Sequence, residues 1–178
     1  MPTDKKIIEC VPNFSEGRNL DIIDKIASAV KSTQNVKLLN VEPDKDYNRT
    51  VITFVGEPSG VKEAAFTAIS TASELIDMSR QKGEHPRIGA TDVCPIIPVA
   101  NATREECVKL ADELGSEVGE KLGIPVYLYE DAARSEERRN LENIRKGEYE
   151  GLEQKLRDWV PDYGPAEYND KVRKSSAK

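Results

Sequence analysis

The chain has 178 residues, of which 38% are hydrophobic and 33% are charged, and its formal net charge is −6. This size and apolar content suffice for one domain with a hydrophobic core, and the interspersed acidic and basic side chains exclude an obvious nucleic-acid-binding face. The N-terminal residues contain only short apolar runs, which excludes a signal peptide or a membrane span there, so we expect a cytoplasmic protein that binds neither nucleic acid nor membrane.

The first elements in the chain alternate short β-like runs with a helical pattern. Residues 6–11 predict a strand, and residues 19–32 predict a helix because their apolar side chains recur at helical spacing. Two β-rich runs, 36–41 and 50–55, flank a turn that contains proline and aspartate. We expect these two strands to pair antiparallel.

The middle of the chain continues this alternation. Pro58 suits the first turn of a second helix, which we expect to end near residues 78–80. Residues 92–99 contain two prolines and therefore predict an edge strand or an irregular strand. A capping-box sequence at 103–106 precedes a third helix that is expected to end at Gly123.

The remaining segments complete the predicted fold. Residues 125–129 predict a further strand, followed by helices over about 132–146 and 148–157. Residues 1–165 are expected to form the folded unit, and the polar, aperiodic residues 166–178 are expected to be a disordered tail. The predicted fold class is α/β, as an α+β sandwich. Its sheet is mixed, its helices lie mainly on one face, and its order is a ferredoxin-like β-α-β-β-α-β.

Three predicted loops contain residues suited to binding or catalysis. The segments are PNFSEGR at 12–18, DKDYNR at 44–49 and EHPRIGATDVCP at 84–95. The first lies between a strand and a helix, which directs backbone N–H groups toward an anion, although an ordinary turn and helix cap explains the same residues. The second could grip an amide or a carboxylate, but common turn chemistry also accounts for it.

The third loop contains the only histidine of the chain, His85. A lone histidine is commonly structural or merely exposed. Here Arg87 and Asp92 follow within the same loop, and Gly83 and Gly89 allow close approach of the backbone to a ligand. We therefore expect His85 to line a solvent-accessible cleft and the three loops to meet on one face of the domain.

The three cysteines do not predict a metal site or a disulfide framework. Cys10, Cys94 and Cys107 lack the close pairs of zinc ligands, and their odd number does not fit a disulfide-stapled domain. We expect free thiols in a reducing compartment, and no bound metal.

Six collinear motifs identify a family resemblance that spans nearly the whole chain. They are ECVPNFSEGR at 9–18, NRTVITFVG at 48–56, GEHPRIGATDVCP at 83–95, PVYLYEDAAR at 125–134, RKGEYEGL at 145–152 and WVPDYGP at 159–165. Together they resemble the N-terminal subdomain of the formiminotransferase domain of the glutamate formimidoyltransferase and formiminotransferase-cyclodeaminase family.

The resemblance implies a transferase of histidine degradation and one-carbon metabolism. It would move the formimino group of N-formimino-L-glutamate to N5 of tetrahydrofolate, which is a co-substrate, with His85 of the EHPR motif as the catalytic residue. The reaction needs a proton taken from N5 and one given to the departing nitrogen, and imidazole can do both. Asp92 is the nearest candidate to orient the ring, and no step requires a metal.

The implied binding residues are distributed over all three loops and the segment after residue 163. Arg49, Arg87 and Arg18 suit carboxylates of either substrate, because a guanidinium binds a carboxylate through two hydrogen bonds. The complete predicted substrate- or folate-binding set is Asn13, Ser15, Glu16, Gly17, Arg18, Asp46, Asn48, Arg49, Arg87, Gly89, Asp92, Gly164 and Pro165.

The resemblance also implies a second subdomain that this sequence does not contain. In the family, folate lies in a cleft between two α/β subdomains, so we expect a second-subdomain chain or a homodimer to complete the site. The alternative is a non-catalytic relative that binds folate or a partner and has lost transferase activity. The choice of formimino- or formylglutamate as donor, the polyglutamate preference and the oligomeric state stay open.

Overall fold

The sheet is formed by short and long antiparallel strands in a computed structural model that describes residues 5–175. The strands are β1 (Ile7–Cys10), β2 (Asn13–Phe14), β3 (Val36–Asp44), β4 (Arg49–Gly56), β5 (Thr91–Val93) and β6 (Ile96–Ala100). The helices are α1 (Leu20–Lys31), α2 (Pro58–Leu75), α3 (Arg104–Glu117), α4 (Glu136–Arg139), α5 (Leu141–Arg145), α6 (Leu152–Asp158) and α7 (Asp170–Ser175).

The strand order confirms the predicted fold class and corrects one detail. Strand β4 pairs with β3 along one edge and with β1 and β2 along the other, while β6 pairs with β1 and β5 with β2. This is the ferredoxin-like order, but every pairing among the described strands is antiparallel, so the prediction of a mixed sheet is wrong. The crossovers through α1 and α2 each return the chain two positions away, and an antiparallel strand fills the gap.

Prolines interrupt the sheet at two neighbouring points, one between β1 and β2 and the other between β5 and β6. Val11 and Pro12 separate β1 from β2, and Cys94 and Pro95 separate β5 from β6. Proline has no N–H to give to a neighbouring strand, which explains the irregular strand predicted over 92–99. The breaks adjoin each other, since Val11 N–H donates to the Pro95 carbonyl at 3.4 Å.

The main core lies between the sheet and α1 and α2. Along β1 and β4, alternate residues are buried, as expected for a sheet with one covered face. Helix α1 is capped by the side chain of Asn19, and its buried residues recur at helical spacing. The buried residues from these elements are Ile8, Cys10, Ile52, Phe54, Ile23, Ile26, Ala27, Val30, Val61, Ala64, Ala65, Ala68, Ile69 and Ala72.

A second, smaller core anchors the loop that contains His85. Its members come from that loop, the segment after α3 and the C-terminal helices: Ile88, Tyr127, Ile144, Leu152, Leu156 and Val172. Because Ile88 is only 2% exposed, the loop is held against α5, α6 and α7 by apolar contact.

The C-terminal half differs from the predicted pattern in several places. The expected strand at 125–129 is reduced to a single bridge between Val126 and Tyr163. The expected helix at 132–146 is divided into α4 and α5, because Asn140 takes an extended conformation and caps α5 with its side chain.

Other helix boundaries also differ from the predictions. Helix α2 ends at Leu75, and α6 begins at Leu152 and ends at Asp158. The capping box at Thr103 is confirmed, but α3 ends at Glu117 and continues as one π-helical turn over Val118–Leu122 before the left-handed Gly123.

The predicted disordered tail is wrong for the segment that forms α7. Its Val172 is fully buried, and the carbonyl of Lys174 accepts a hydrogen bond from Met78 N–H at 2.9 Å. The Asn169 side chain accepts from Val172 N–H and begins the helix. A buried apolar residue, a cap and hydrogen bonds from Met78 and Tyr149 therefore dock a segment whose composition is otherwise polar. Residues 176–178 of the predicted tail lie outside the described residues.

Neither a spanning helix nor a metal cluster occurs between residues 5 and 175. No helix in this range is long and apolar enough to cross a membrane. The same range holds no group of three or more histidine, cysteine, aspartate or glutamate side chains that could hold a metal ion.

Candidate active site

His85 lies beside two polar side chains at the end of the sheet that contains β2 and β5. Its Nε2 atom is 3.2 Å from Asn13 Nδ2 and 3.5 Å from Asp92 Oδ2. The contact with Asp92 that spacing alone could only suggest is therefore present. No residue between 5 and 175 contributes a hydrogen bond to the other ring nitrogen, Nδ1.

The expectation that His85 lines a solvent-accessible cleft is wrong, because the residue is only 7% exposed. Two segments cover its loop: Tyr149 N–H donates to the Arg87 carbonyl at 2.7 Å, and the turn at Tyr47 packs against Gly83. The expectation that the ring does not fill the apolar core is nevertheless met, since its named partners are an amide and a carboxylate.

Asp92 is fully buried and is held at both carboxylate oxygens. Its Oδ1 accepts from Ile88 N–H at 3.1 Å. Its Oδ2 accepts from Arg145 Nε at 3.0 Å and also from Arg145 Nη2. A buried carboxylate needs such a cation and such donors to stay ionised. The result is a continuous arrangement of His85, Asp92 and Arg145.

The three loops meet, as the sequence predicts. Gly17 N–H donates to Asn48 Oδ1 at 2.9 Å, which joins the first loop to the second. Ser15 Oγ donates to the Gly89 carbonyl, which joins the first to the third, and Asn48 Nδ2 donates to the Lys82 carbonyl at 3.0 Å, just before the third loop. At Gly17, an added Cβ would lie 2.1 Å from the Asp44 carbonyl oxygen, so this close approach requires glycine.

Several predicted substrate-binding side chains of the first loop instead bind the protein. Ser15 Oγ donates to the Gly89 carbonyl at 2.7 Å. Glu16 accepts from two backbone N–H groups before α1 and from Gln81 Nε2. Asn13 is different, since its Oδ1 is buried with no hydrogen-bond partner among residues 5–175.

The three predicted arginines have different surroundings. Arg87, with 8% of its side chain exposed, is held by Glu148, Glu150 and the Gln81 carbonyl, so its guanidinium already has carboxylate partners. Burial alone would raise the pKa of Glu150, but the hydrogen bond and charge of Arg87 lower it below its usual range.

Arg18 and Arg49 lie at the second loop. The Arg18 guanidinium donates to the carbonyls of Lys45 and Lys82. The Arg49 guanidinium stacks over the Tyr47 ring at 5.4 Å, and residues 5–175 supply it with no ion pair. Neither arginine has an ion pair among residues 5–175, but the Arg18 guanidinium is already held by two carbonyls, so Arg49 is the more available of the two to an external carboxylate.

The last predicted residues lie apart from His85 or in ordinary turns. Asp46 is exposed, and its N–H donates to Asp44 Oδ1 within the turn. Gly164 has a left-handed φ of 80° and packs against Ile124, and Pro165 follows it. Both belong to the neighbourhood of α3 rather than to the three loops.

An apolar cleft of about 700 Å³ opens between β6, α3 and residues 126–132. Cys94, two residues beyond Asp92, lines it together with Tyr129. Burial raises the pKa of Tyr129 well above its usual range, and the nearby thiols and Asp92 raise it further. The volume of the cleft is within the range of about 300–1,000 Å³ typical of small-molecule sites.

Sequence reasoning missed the residues that support the His85 loop from the C-terminal side. Arg145, Glu148 and Glu150 all reach back to this loop, and Gln81 joins it to Glu16. The available signal was the charged motif RKGEYEGL at 145–152, which supported the resemblance but was assigned no role in the site.

Comparisons with known proteins agree with these motifs. The family model described as "Formiminotransferase domain, N-terminal subdomain" matches residues 7–173. The chain is 52% identical over 165 residues to a formimidoyltransferase-cyclodeaminase of Dictyostelium discoideum, covering 92% of this chain and 31% of the relative. A relative of the same name in Gallus gallus is 55% identical over 90% of this chain and 30% of its own length.

A shorter relative matches over the same part of the chain. The glutamate formimidoyltransferase of Streptococcus pyogenes serotype M1 is 48% identical over 161 residues, covering 89% of this chain and 54% of the relative. The chain therefore spans about a third to a half of the length of these curated relatives.

Proposed function

Because this chain belongs to the formiminotransferase domain family, as its N-terminal subdomain, we propose that it supplies the proton-transfer residue for formimino transfer from N-formimino-L-glutamate to tetrahydrofolate. In this proposal the chain takes part in histidine degradation and one-carbon metabolism. The observation that carries it is the arrangement of His85 against the buried, arginine-paired carboxylate of Asp92.

The reaction exchanges one carbon–nitrogen bond for another. Tetrahydrofolate N5 attacks the formimino carbon, and a new C–N5 bond forms. The bond from that carbon to the glutamate nitrogen then breaks, so that the products are formiminotetrahydrofolate and glutamate. One proton leaves N5, and one proton must reach the departing glutamate nitrogen. A single group that accepts the first proton and then gives it to the departing nitrogen is therefore sufficient.

His85 has the surroundings that this role requires. With Nε2 directed toward Asp92, the nitrogen without a described partner, Nδ1, can accept the N5 proton and return it to the glutamate nitrogen. The imidazolium formed in between lies 3.5 Å from a carboxylate, which stabilises the positive charge. Such a positioned acid–base group typically contributes about 100- to 10,000-fold to the rate.

Two further features would hold the substrates. Arg49 lies beside the three loops with a guanidinium that suits the glutamate carboxylate. The apolar cleft is not lined by His85 and borders its loop at Cys94 and Pro95, but its size and apolar lining suit the flat rings of folate. Tyr163, which precedes Gly164 and Pro165, packs against Gly115, a residue that lines this cleft. The proposed contributions of Gly164 and Pro165 are therefore limited to one edge of the folate site.

We propose that a second polypeptide, or a second copy of the chain, completes the site. The matched region covers 54% of the length of the Streptococcus pyogenes relative, and we propose that the unmatched part supplies the other surface of the folate cleft. Without that surface the two reacting atoms are poorly oriented, and orientation can be worth on the order of 7 kcal/mol of barrier reduction.

The test is reconstitution. The purified chain is assayed for glutamate release from N-formimino-L-glutamate and tetrahydrofolate, alone and with a polypeptide containing the part of the Streptococcus pyogenes relative that this chain does not match. We expect slow release by the chain alone and a large increase in the mixture. Folate binding by the mixture without any glutamate release would instead support the non-catalytic alternative, and full turnover by the chain alone would contradict the divided site.

A further inference from the structure

We propose that Arg145 is a positioning residue that selects the tautomer of His85 in which Nε2 carries the proton and Nδ1 is free to accept one. It would act through Asp92 rather than by touching substrate. The catalytic use of this tautomer rests on the proposed function, whereas the preference of His85 for the tautomer does not.

The first step of the argument is the state of Asp92. This carboxylate is fully buried, where an ionised group is costly without a partner. Arg145 meets the same oxygen, Oδ2, through both Nε and Nη2. Since arginine stays protonated in proteins, this contact keeps Asp92 ionised and fixes the direction of Oδ2.

The second step concerns which atom Oδ2 faces. His85 Nε2 lies 3.5 Å from Oδ2, and an ionised carboxylate can only accept hydrogen bonds. An Nε2–H group beside this oxygen is favoured electrostatically, whereas a lone pair on Nε2 would face a negative charge. The fixed carboxylate therefore favours the proton on Nε2.

The third step uses an independent observation, the orphaned oxygen of Asn13. As placed, Asn13 Nδ2 lies 3.2 Å from Nε2 while Oδ1 is buried with no partner among residues 5–175. A half-turn of the amide exchanges these two atoms, after which Oδ1 accepts from Nε2–H. The Nε2–H is then shared between Asp92 Oδ2 and Asn13 Oδ1, so the same tautomer suits both acceptors, while Asn13 Nδ2 takes the position that Oδ1 now occupies.

The remaining nitrogen then has the form required for catalysis. Nδ1 has no described partner in residues 5–175, and in this tautomer it carries a lone pair. The opposite tautomer would present an Nδ1–H group to tetrahydrofolate N5, and a nitrogen that already carries a proton cannot accept the proton of N5. Replacing Arg145 should thus impair the chemical step while leaving the substrate contacts in place.

Nitrogen-15 NMR of the imidazole tests the tautomer directly. His85 is the only histidine, so one pair of ring signals reports its state without assignment. In the neutral imidazole of the unmodified chain, we expect Nε2 to be protonated and Nδ1 to be unprotonated. A predominant Nδ1–H form would overturn the proposal, whether or not the chain has transferase activity.

The variant Arg145→Met tests the role of the arginine. We expect the ring to populate both tautomers and kcat in the reconstituted mixture to fall on the order of 100-fold, with little change in KM. Arg145→Lys should give an intermediate tautomer population, because lysine keeps the charge but not the planar fork. The matched control is Arg157→Met, which removes an exposed arginine paired with Glu153 on α6.

A double variant separates a positioning role from a structural one. If Arg145 acts through His85, then Arg145→Met should have little further effect on kcat in a His85→Ala background. Equal reductions in both backgrounds would contradict the proposal. If Arg145→Met does not fold, a tautomer population in Arg145→Lys identical to that of the unmodified chain would contradict it instead. Failure of the unmodified mixture to release glutamate would reject the proposed function alone.

Discussion

At the scale of single residues, the site is formed by polar side chains that the fold buries and then satisfies. Asp92 receives a backbone N–H and a guanidinium, and Glu16 receives two backbone N–H groups and an amide. Each of these bonds replaces water that burial removed, since an unpaired buried polar group is costly. His85 is thereby held by its neighbours. The flanking glycines had instead suggested that it would be exposed.

The thiols beside this site differ in accessibility, which gives a first prediction. Burial raises the pKa of Cys10 well above its usual range, and the thiol of Cys94, whose Sγ lies 3.6 Å away, raises it further. A raised pKa keeps Cys10 protonated and unreactive at pH 8, because the thiolate is the nucleophile. Cys94 is half-buried and lines the cleft.

We therefore expect iodoacetamide to modify Cys94 first in the folded protein. Cys10 should react only at the rate of local unfolding. The measurement is peptide mass spectrometry after timed labelling, with Cys94→Ser as the control that removes the fast-reacting thiol. Labelling of Cys10 as rapid as that of Cys94 would contradict the packing described here.

At the scale of elements, the sequence predicts the regular half of the fold well and the C-terminal part poorly. Strands β1 and β4 and helices α1 and α2 have clear periodicity, because each has one buried face, whereas the residues of the edge strand β3 are half-buried or exposed. Helices α4 and α5 have four and five residues, too few for a periodic signal. Helix α4 is held by the ion pair of Arg138 with Asp162, and α5 by the contact of Arg145 with Asp92 of the His85 loop. Periodicity cannot reveal such contacts between distant parts of the chain.

Helix α7 gives a second prediction, which belongs to the scale of elements. Val172→Ala removes two methyl groups from a fully buried position and should lower the free energy of unfolding by about 2 kcal/mol. The matched control is Lys174→Ala, an exposed residue on the same helix whose backbone carbonyl bond to Met78 is retained.

Chemical denaturation of the two variants checks this expectation. A decrease for Val172→Ala alone would confirm that the segment beyond residue 165 belongs to the folded domain. Equal stability of both variants and the unmodified chain would instead favour the disordered tail that composition suggests.

At the scale of the whole molecule, the chain combines a common sheet architecture with a site built by distant segments. The three loops that the sequence singled out do meet, because all three connect elements at one end of the sheet. Their individual roles were less predictable: Ser15, Glu16 and Arg87 bind the protein itself, and Arg145 enters from a segment 53 residues after Asp92. Composition and motif spacing do not indicate which polar groups form hydrogen bonds with each other in the folded protein.

The central claim is that His85 carries the proton in formimino transfer. The most direct measurement is the rate of glutamate release by the reconstituted mixture prepared with the unmodified chain or with His85→Ala, together with folate affinity in each. We predict that His85→Ala lowers kcat by about 100- to 10,000-fold while folate affinity is retained, because the imidazole moves protons and does not anchor the substrate. A mixture with His85→Ala that releases glutamate at the unmodified rate would contradict the account.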